Sequence, residues 1–122
     1  MKLANDFFKI LSVEQMESKY HIGIELNPDH EIFKGHFPGN PVVPGVCMVQ
    51  MIKEILQSLF DQEYTMKAAS QLKFLAIINP EQIKMLDVEL NISKKDPGGL
   101  EVSGTFHKND LVFLKYKAAF TS

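Results

Sequence analysis

Gly35-His36-Phe37-Pro38-Gly39-Asn40-Pro41-Val42-Val43-Pro44-Gly45-Val46, followed at once by an apolar run to Phe60, is the stretch on which the fold turns. Three prolines and three glycines in twelve residues dictate an extended, sharply turning loop. Proline locks φ, and glycine admits backbone angles that other residues avoid. Pro44 suits the first turn of a helix, where its missing N–H would have no intrahelical partner. Gly45 and Val46 then carry free amides at the helix start, a setting that attracts negative charge and, when buried, holds a developing oxyanion. His36 stands a few residues upstream on the same rigid loop. A base beside an oxyanion site is the minimum equipment for removing a proton next to a carbonyl.

The helix expected from about Pro44 to Asp61 carries Val46, Cys47, Met48, Val49, Met51, Ile52, Ile55, Leu56, Leu59 and Phe60. That is too apolar for a helix lying on a surface, and a sheet wrapped around it would cover most of its circumference. Its polar row, Gln50, Lys53, Glu54, Gln57 and Asp61, falls on one side at spacings of three and four. Gln50 therefore has two readings, as the first member of a solvent-facing row or as part of a site at the helix start. Cys47 reads as a small buried side chain rather than a nucleophile.

Taken alone, the loop would pass for a stiff connection and His36 for an incidental imidazole. The order of residues says more. It resembles the 3-hydroxyacyl-(acyl carrier protein) dehydratases of type II fatty acid synthesis, whose motif is Gly-His-Phe-Pro-Gly-x-Pro-x-x-Pro-Gly-Val. Every fixed position is present: Gly35, His36, Phe37, Pro38, Gly39, Pro41, Pro44, Gly45 and Val46. Leu72-Lys73-Phe74 with Asn79-Pro80 looks like that family's central strand, and the strands from Met85 to Phe120 fit the same plan. The likeness runs from about Lys19 to the C-terminus. It implies an α+β hotdog fold, an antiparallel sheet around one long helix, with sites built where two subunits join their sheets. It also implies a shortened N-terminal region and hence a different cap over one end of the substrate tunnel.

One position departs from the family. The second catalytic residue there is a Glu or Asp four residues after the motif's final Val, and here that position is Gln50. Gln50 can hold a water or hydroxyl, but a neutral amide supplies no proton. Loss of a general acid typically removes ~10²- to 10⁴-fold in rate. Glu54 lies one helical turn, about 5.4 Å, further along, too far for direct replacement.

Composition narrows the setting. A chain of 122 residues is large enough for one core and not two, so a single domain spanning 1–122 is expected. A net charge of −2 offers no broad basic surface, which argues against nucleic acid and anionic membranes as general partners. Lys34, Lys53, Lys67, Lys73 and Lys84 are available for a local basic patch that docks an acidic carrier protein. One cysteine allows no intramolecular disulfide, the N-terminus has no secretory pattern, and no segment reaches a membrane-spanning length, so a cytoplasmic location is expected.

Around the motif, Asp6 to Gln15 has no clean period and suits a strand or a short helix. Tyr20, Ile22, Ile24 and Leu26 alternate with His21, Gly23 and Glu25, a strand with one buried face that leaves His21 on the surface. His30 and Phe33 lead into the motif loop, with His30 in an ordering role. Met66 to Ile78 reads as one long strand with Leu72, Phe74, Ala76 and Ile78 on one face. Leu86 to Ile92, Leu100 to Phe106 and Val112 to Phe120 alternate in the same manner, joined by Asp96-Pro97-Gly98-Gly99 and Lys108-Asn109-Asp110 turns. His107, at a strand end beside the second turn, reads as solvated. Exposed sheet edges of this size are usually paired, so a homodimer or larger homo-oligomer is expected, with a heterodimer as the route by which a partner supplies the missing carboxylate.

The resemblance implies a reaction, elimination of water from 3-hydroxyacyl thioesters on acyl carrier protein. His36 is the expected base, Gly45 and Val46 the oxyanion donors, and Gln50 a weakened second residue; no cofactor or metal is called for. Two alternatives are a non-catalytic or partner-dependent subunit that binds acyl chains or their carrier, and a hotdog thioesterase in which Gln50 positions water.

Overall fold

In the computed structural model, residues 2–35 and 39–122 are described. The elements are β1 (Phe8–Met16), β2 (Lys19–Leu26), α1 (Glu31–Gly35), α2 (Gly45–Phe60), β3 (Thr65–Phe74), β4 (Met85–Lys95), β5 (Gly99–Lys108) and β6 (Leu111–Thr121). All the strands join one antiparallel sheet in the order β1-β2-β4-β5-β6-β3. The ambiguous first segment is a strand, because pairing with β2 supplies the backbone partners that its own side-chain pattern could not specify.

The inner face follows the alternation in the sequence. Ile22, Ile24 and Leu26 of β2, Leu86, Val88, Leu90 and Ile92 of β4, and Leu100, Val102 and Phe106 of β5 are buried. Leu114, Tyr116, Ala118 and Phe120 of β6 complete that wall. Against it α2 packs Met48, Met51, Ile52, Ile55 and Leu56, and only Val46 and Ser58 on the whole helix are exposed. Each such side chain, taken fully out of water, contributes roughly 1.5–3 kcal/mol. The helix is therefore the axis on which the sheet closes, an α+β hotdog architecture.

Gly104 sits between Leu90 and Tyr116 in register, and a β-carbon there would run into the Glu89 backbone carbonyl. The missing side chain lets the Tyr116 hydroxyl reach across and donate to Glu89 O at 2.7 Å. At the hairpin between β4 and β5, Gly98 takes φ +68°. Gly99 is already in the strand, so one glycine and not two meets the turn's demand for positive φ.

The third strand departs from expectation. It ends at Phe74, not Ile78, because the chain peels away as Leu75 and Ala76 donate to Phe113 O at 2.8 and 3.4 Å. Ile78 turns inward to full burial, while Leu72, Phe74, Leu75 and Ile77 are left exposed on the free edge. Past the edge the lone chain covers these apolar residues only in part, which is why the expected single buried face does not form.

Candidate functional site

The motif loop is anchored at both ends. At its start the five-residue α1 buries Phe33, whose ring stacks on Phe7 with centroids 5.2 Å apart. His30 accepts the Ile32 amide on Nδ1 at 3.0 Å and meets Asp6 with Nε2 at 3.1 Å. Its ring also stands edge-on to Phe7. Both ring nitrogens are thus committed to holding the loop entrance, the ordering role expected of it. Gly35 closes α1 in an exposed position, and Gly39 takes φ +84°, a conformation that favours glycine. His36, Phe37 and Pro38 lie outside the described residues, so the expected base is a sequence assignment.

At the loop's end Pro41 and Val43 are buried, and the Val43 amide donates to Ile78 O at 2.9 Å. Pro44 is the N-cap residue with φ −64° and ψ 144°, one position before the helix rather than inside its first turn. Its carbonyl receives the Cys47 and Met48 amides at 3.0 and 3.3 Å. Among the described residues, the Gly45 and Val46 amides have no backbone acceptor, so the two donors singled out from the sequence are those left over at this terminus. Phe74 covers Gly45 so closely that a β-carbon there would lie 2.9 Å from the ring. The start of α2 and the apolar end of β3 therefore meet.

Gln50 lies one turn beyond Val46 on the same helical side. It is half-buried, and its side-chain amide donates to Glu54 Oε2 at 3.0 Å. Glu54 is where the structure departs from the reading of this row as solvent-facing. The residue is 6% exposed, and its carboxylate receives the Leu3 amide at 3.0 and 2.8 Å on its two oxygens and the Ala4 amide at 2.7 Å. The N-terminal segment, some fifty residues away in the chain, lies over this part of the helix and covers Glu54, while Gln50, Lys53 and Gln57 stay half-buried and Asp61 exposed. The sequence places Glu54 in the polar row and one turn too far to replace an acid at Gln50; the i, i+4 spacing between the two is the local signal of their pairing. Lys2, Gln50, Lys53, Glu54 and Tyr64 line an open groove of about 480 Å³ along this side.

Cys47 is buried, and burial raises its thiol pKa, consistent with a packing role. His21 is exposed as expected, with Nε2 2.9 Å from Asp87 Oδ1. His107 differs from expectation: it is half-buried within β5, and its Nδ1 lies 3.0 Å from Thr105 Oγ1. Among the described residues, no helix is long and apolar enough to cross a membrane.

A proline- and glycine-rich loop feeding a sheet-wrapped helix defines a hotdog domain, with the helix start as its candidate site. The family model described as ApeI-like, ApeI dehydratase, matches residues 12–110, and the chain belongs to that family. The 3-hydroxyacyl-(acyl carrier protein) dehydratase FabZ of Pediococcus pentosaceus is 34% identical over 80 residues, 60% of this chain and 54% of that protein. That of Levilactobacillus brevis is 32% identical over 98 residues, 70% of this chain and 66% of that protein. The chain thus spans between about half and two thirds of the length of these relatives.

Among solved structures, the dehydratase heterocomplex ApeI:P from Xenorhabdus doucetiae superposes with a TM-score of 0.71 at 21% identity, over 93% of this chain and 96% of that one. A conserved protein from Pseudomonas aeruginosa follows at 0.63 and 10% identity, over 95% and 88%. At these identities the likeness is one of fold.

Proposed function

We propose that the chain eliminates water from 3-hydroxyacyl thioesters carried on acyl carrier protein, giving trans-2-enoyl thioesters. The observation that carries this reading is the intact dehydratase motif leading into α2, whose Gly45 and Val46 amides have no backbone acceptor among the described residues. Membership of the ApeI-like dehydratase family and the likeness to FabZ proteins support it.

In this reading the thioester oxygen sits against the Gly45 and Val46 amides, which stabilise the enolate-like charge as neutral His36 takes the C2 proton. The C3–O bond then breaks, and hydroxide leaves as water with the proton that His36 acquired. Gln50 orients the departing hydroxyl without supplying a proton. His36 therefore handles both transfers, and the expected rate is low for this class of reaction.

The exposed apolar strip of Val46, Leu72, Phe74, Leu75 and Ile77 supports pairing of two subunits along the β3 edge. Because Phe74 touches Gly45, such a partner would lie beside the proposed oxyanion site. A second reading has a specific observation behind it: the Gln50 amide is turned onto Glu54. If that arrangement persists with substrate bound, a different hotdog subunit supplies the acid, an assembly of the kind named in the Xenorhabdus heterocomplex.

The test is incubation of the pure chain with a 3-hydroxyacyl-carrier thioester, following enoyl absorbance and free thiol. Enoyl product that vanishes in His36→Ala supports elimination by this chain alone. Thiol release without enoyl product points to a thioesterase, and product only on adding a second hotdog subunit establishes partner dependence. Full enoyl formation by His36→Ala refutes the assigned base.

A further inference from the structure

We propose that His21, Asp87 and His107 form a binding site for a divalent transition-metal ion of the zinc, cobalt or nickel class on the outer face of the sheet, independent of the elimination site. Each residue offers one ligand atom, and the three atoms lie within 4.8 Å of one another.

Register brings them together. Asp87 on β4 is directly opposite His107 on β5, and His21 on β2 is opposite Glu89, two residues along from Asp87. Side chains two apart on a strand share a face, so all three project outward. The residues beside them, Ile22, Val88 and Phe106, are fully buried on the other face. Those anchors hold the three backbones at fixed separations, so a ligand set here requires only side-chain rotation.

The geometry is close to what an ion requires. Tetrahedral bonds of about 2.0–2.1 Å put ligand atoms roughly 3.4 Å apart. His21 Nε2 and Asp87 Oδ1 stand at 2.9 Å, slightly inside that distance. His107 is the outlying member, with its ring centroid 6.2 Å from that of His21. Its Nδ1 is held by Thr105 Oγ1, a neighbour of the kind that fixes the orientation of a ligating ring.

The donor set chooses the ion. Two imidazoles and a carboxylate suit zinc, cobalt, nickel or copper, whereas calcium and magnesium take oxygen ligands. Three protein ligands leave at least one position open to water. On the same face Glu14 and Glu89 are the register partners of His21 on either side, and their charge favours a cation. Lys115 faces this cluster only from across Thr105.

An ordinary surface ion pair between His21 and Asp87 would need no His107. The experiment exploits that difference. Untagged chain, stripped with chelator, is titrated calorimetrically with Zn²⁺, and Co²⁺ is followed by visible absorbance. The expected result is one ion per chain, with affinity lowered about tenfold or more in both His21→Asn and His107→Gln and unchanged in His30→Ala. Without any variant, Co²⁺ should selectively broaden the His21 and His107 ring resonances of the parent chain, a readout that does not depend on a variant folding. Binding of equal strength in folded His107→Gln, broadening centred on His30 or His36, or no stoichiometric binding would each overturn the site.

Discussion

Replacing Gln50 with glutamate gives the helix the carboxylate usual in the dehydratases the motif resembles, and the structure attaches a cost to it. The Gln50 amide donates to Glu54 Oε2 at 3.0 Å, so Gln50→Glu exchanges a charge-assisted hydrogen bond for two carboxylates in contact. Two unit charges at that separation repel by about 5 kcal/mol at an effective dielectric of ~20. Gln50 is only half-buried, and swinging the new side chain outward to twice the distance halves the repulsion. The lost hydrogen bond to a charged group adds about 1.5–3 kcal/mol, discounted for the same exposure. The expected net loss is about 2–4 kcal/mol, measurable by urea unfolding followed by circular dichroism. Glu54→Gln carries its own cost through the Leu3 and Ala4 amides, so the pairing is read as a cycle: in a Glu54→Gln background Gln50→Glu should cost less than half as much, a coupling of about 1–3 kcal/mol. In the enoyl assay, Gln50→Glu should be faster than the parent. A single variant within about 0.5 kcal/mol of the parent, or an equal cost of Gln50→Glu in the parent and Glu54→Gln backgrounds, would refute the pairing. A flat rate would remove Gln50 from the reaction.

Other consequences are as direct. Glu54→Ala strips the Leu3 and Ala4 amides of their acceptor and should cost about 3–5 kcal/mol by thermal or urea unfolding, with the N-terminus becoming sensitive to protease. Gly104→Ala forces a methyl into the Glu89 carbonyl and should cost about 2–3 kcal/mol, whereas Ser103→Ala beside it should be nearly silent. Burial, and secondarily the charge of Glu89, holds the Tyr116 pKa above its usual value of 10.0. Above that pH the unfolded chain releases a proton that the native chain retains, so stability should fall by about 1.4 kcal/mol per pH unit; Tyr116→Phe should flatten the slope. Cys47, raised from 9.0 by burial, acts with the same sign from a lower pH. Ile77→Glu on the free edge should leave the fold intact and shift the sedimenting species from dimer to monomer, with loss of activity; an unchanged dimer would exclude this edge as the interface.

Much of the fold is local and was therefore legible. The period-two alternation in β2, β4, β5 and β6 names the buried face residue by residue, and the continuous apolar run of α2 demands a sheet on most of its sides. The motif's prolines and glycines likewise announce a stiff loop ending at a helix start, and α2 begins at Gly45 directly after it. What could not be read were outcomes of long-range contact. Burial of Glu54 depends on residues 3 and 4 crossing the helix, the end of β3 on Phe113 drawing the chain away, and the meeting of His21 with His107 on the register of three strands.

The sequence by itself determined which residues could do chemistry and which faces had to be dry, because backbone stiffness and side-chain periodicity act over a few residues. Only the tertiary structure decided which polar groups became neighbours. A hydrogen bond or a ligand set is specified by ångström-scale distances between segments far apart in the chain, and those distances exist only once the sheet has closed around the helix.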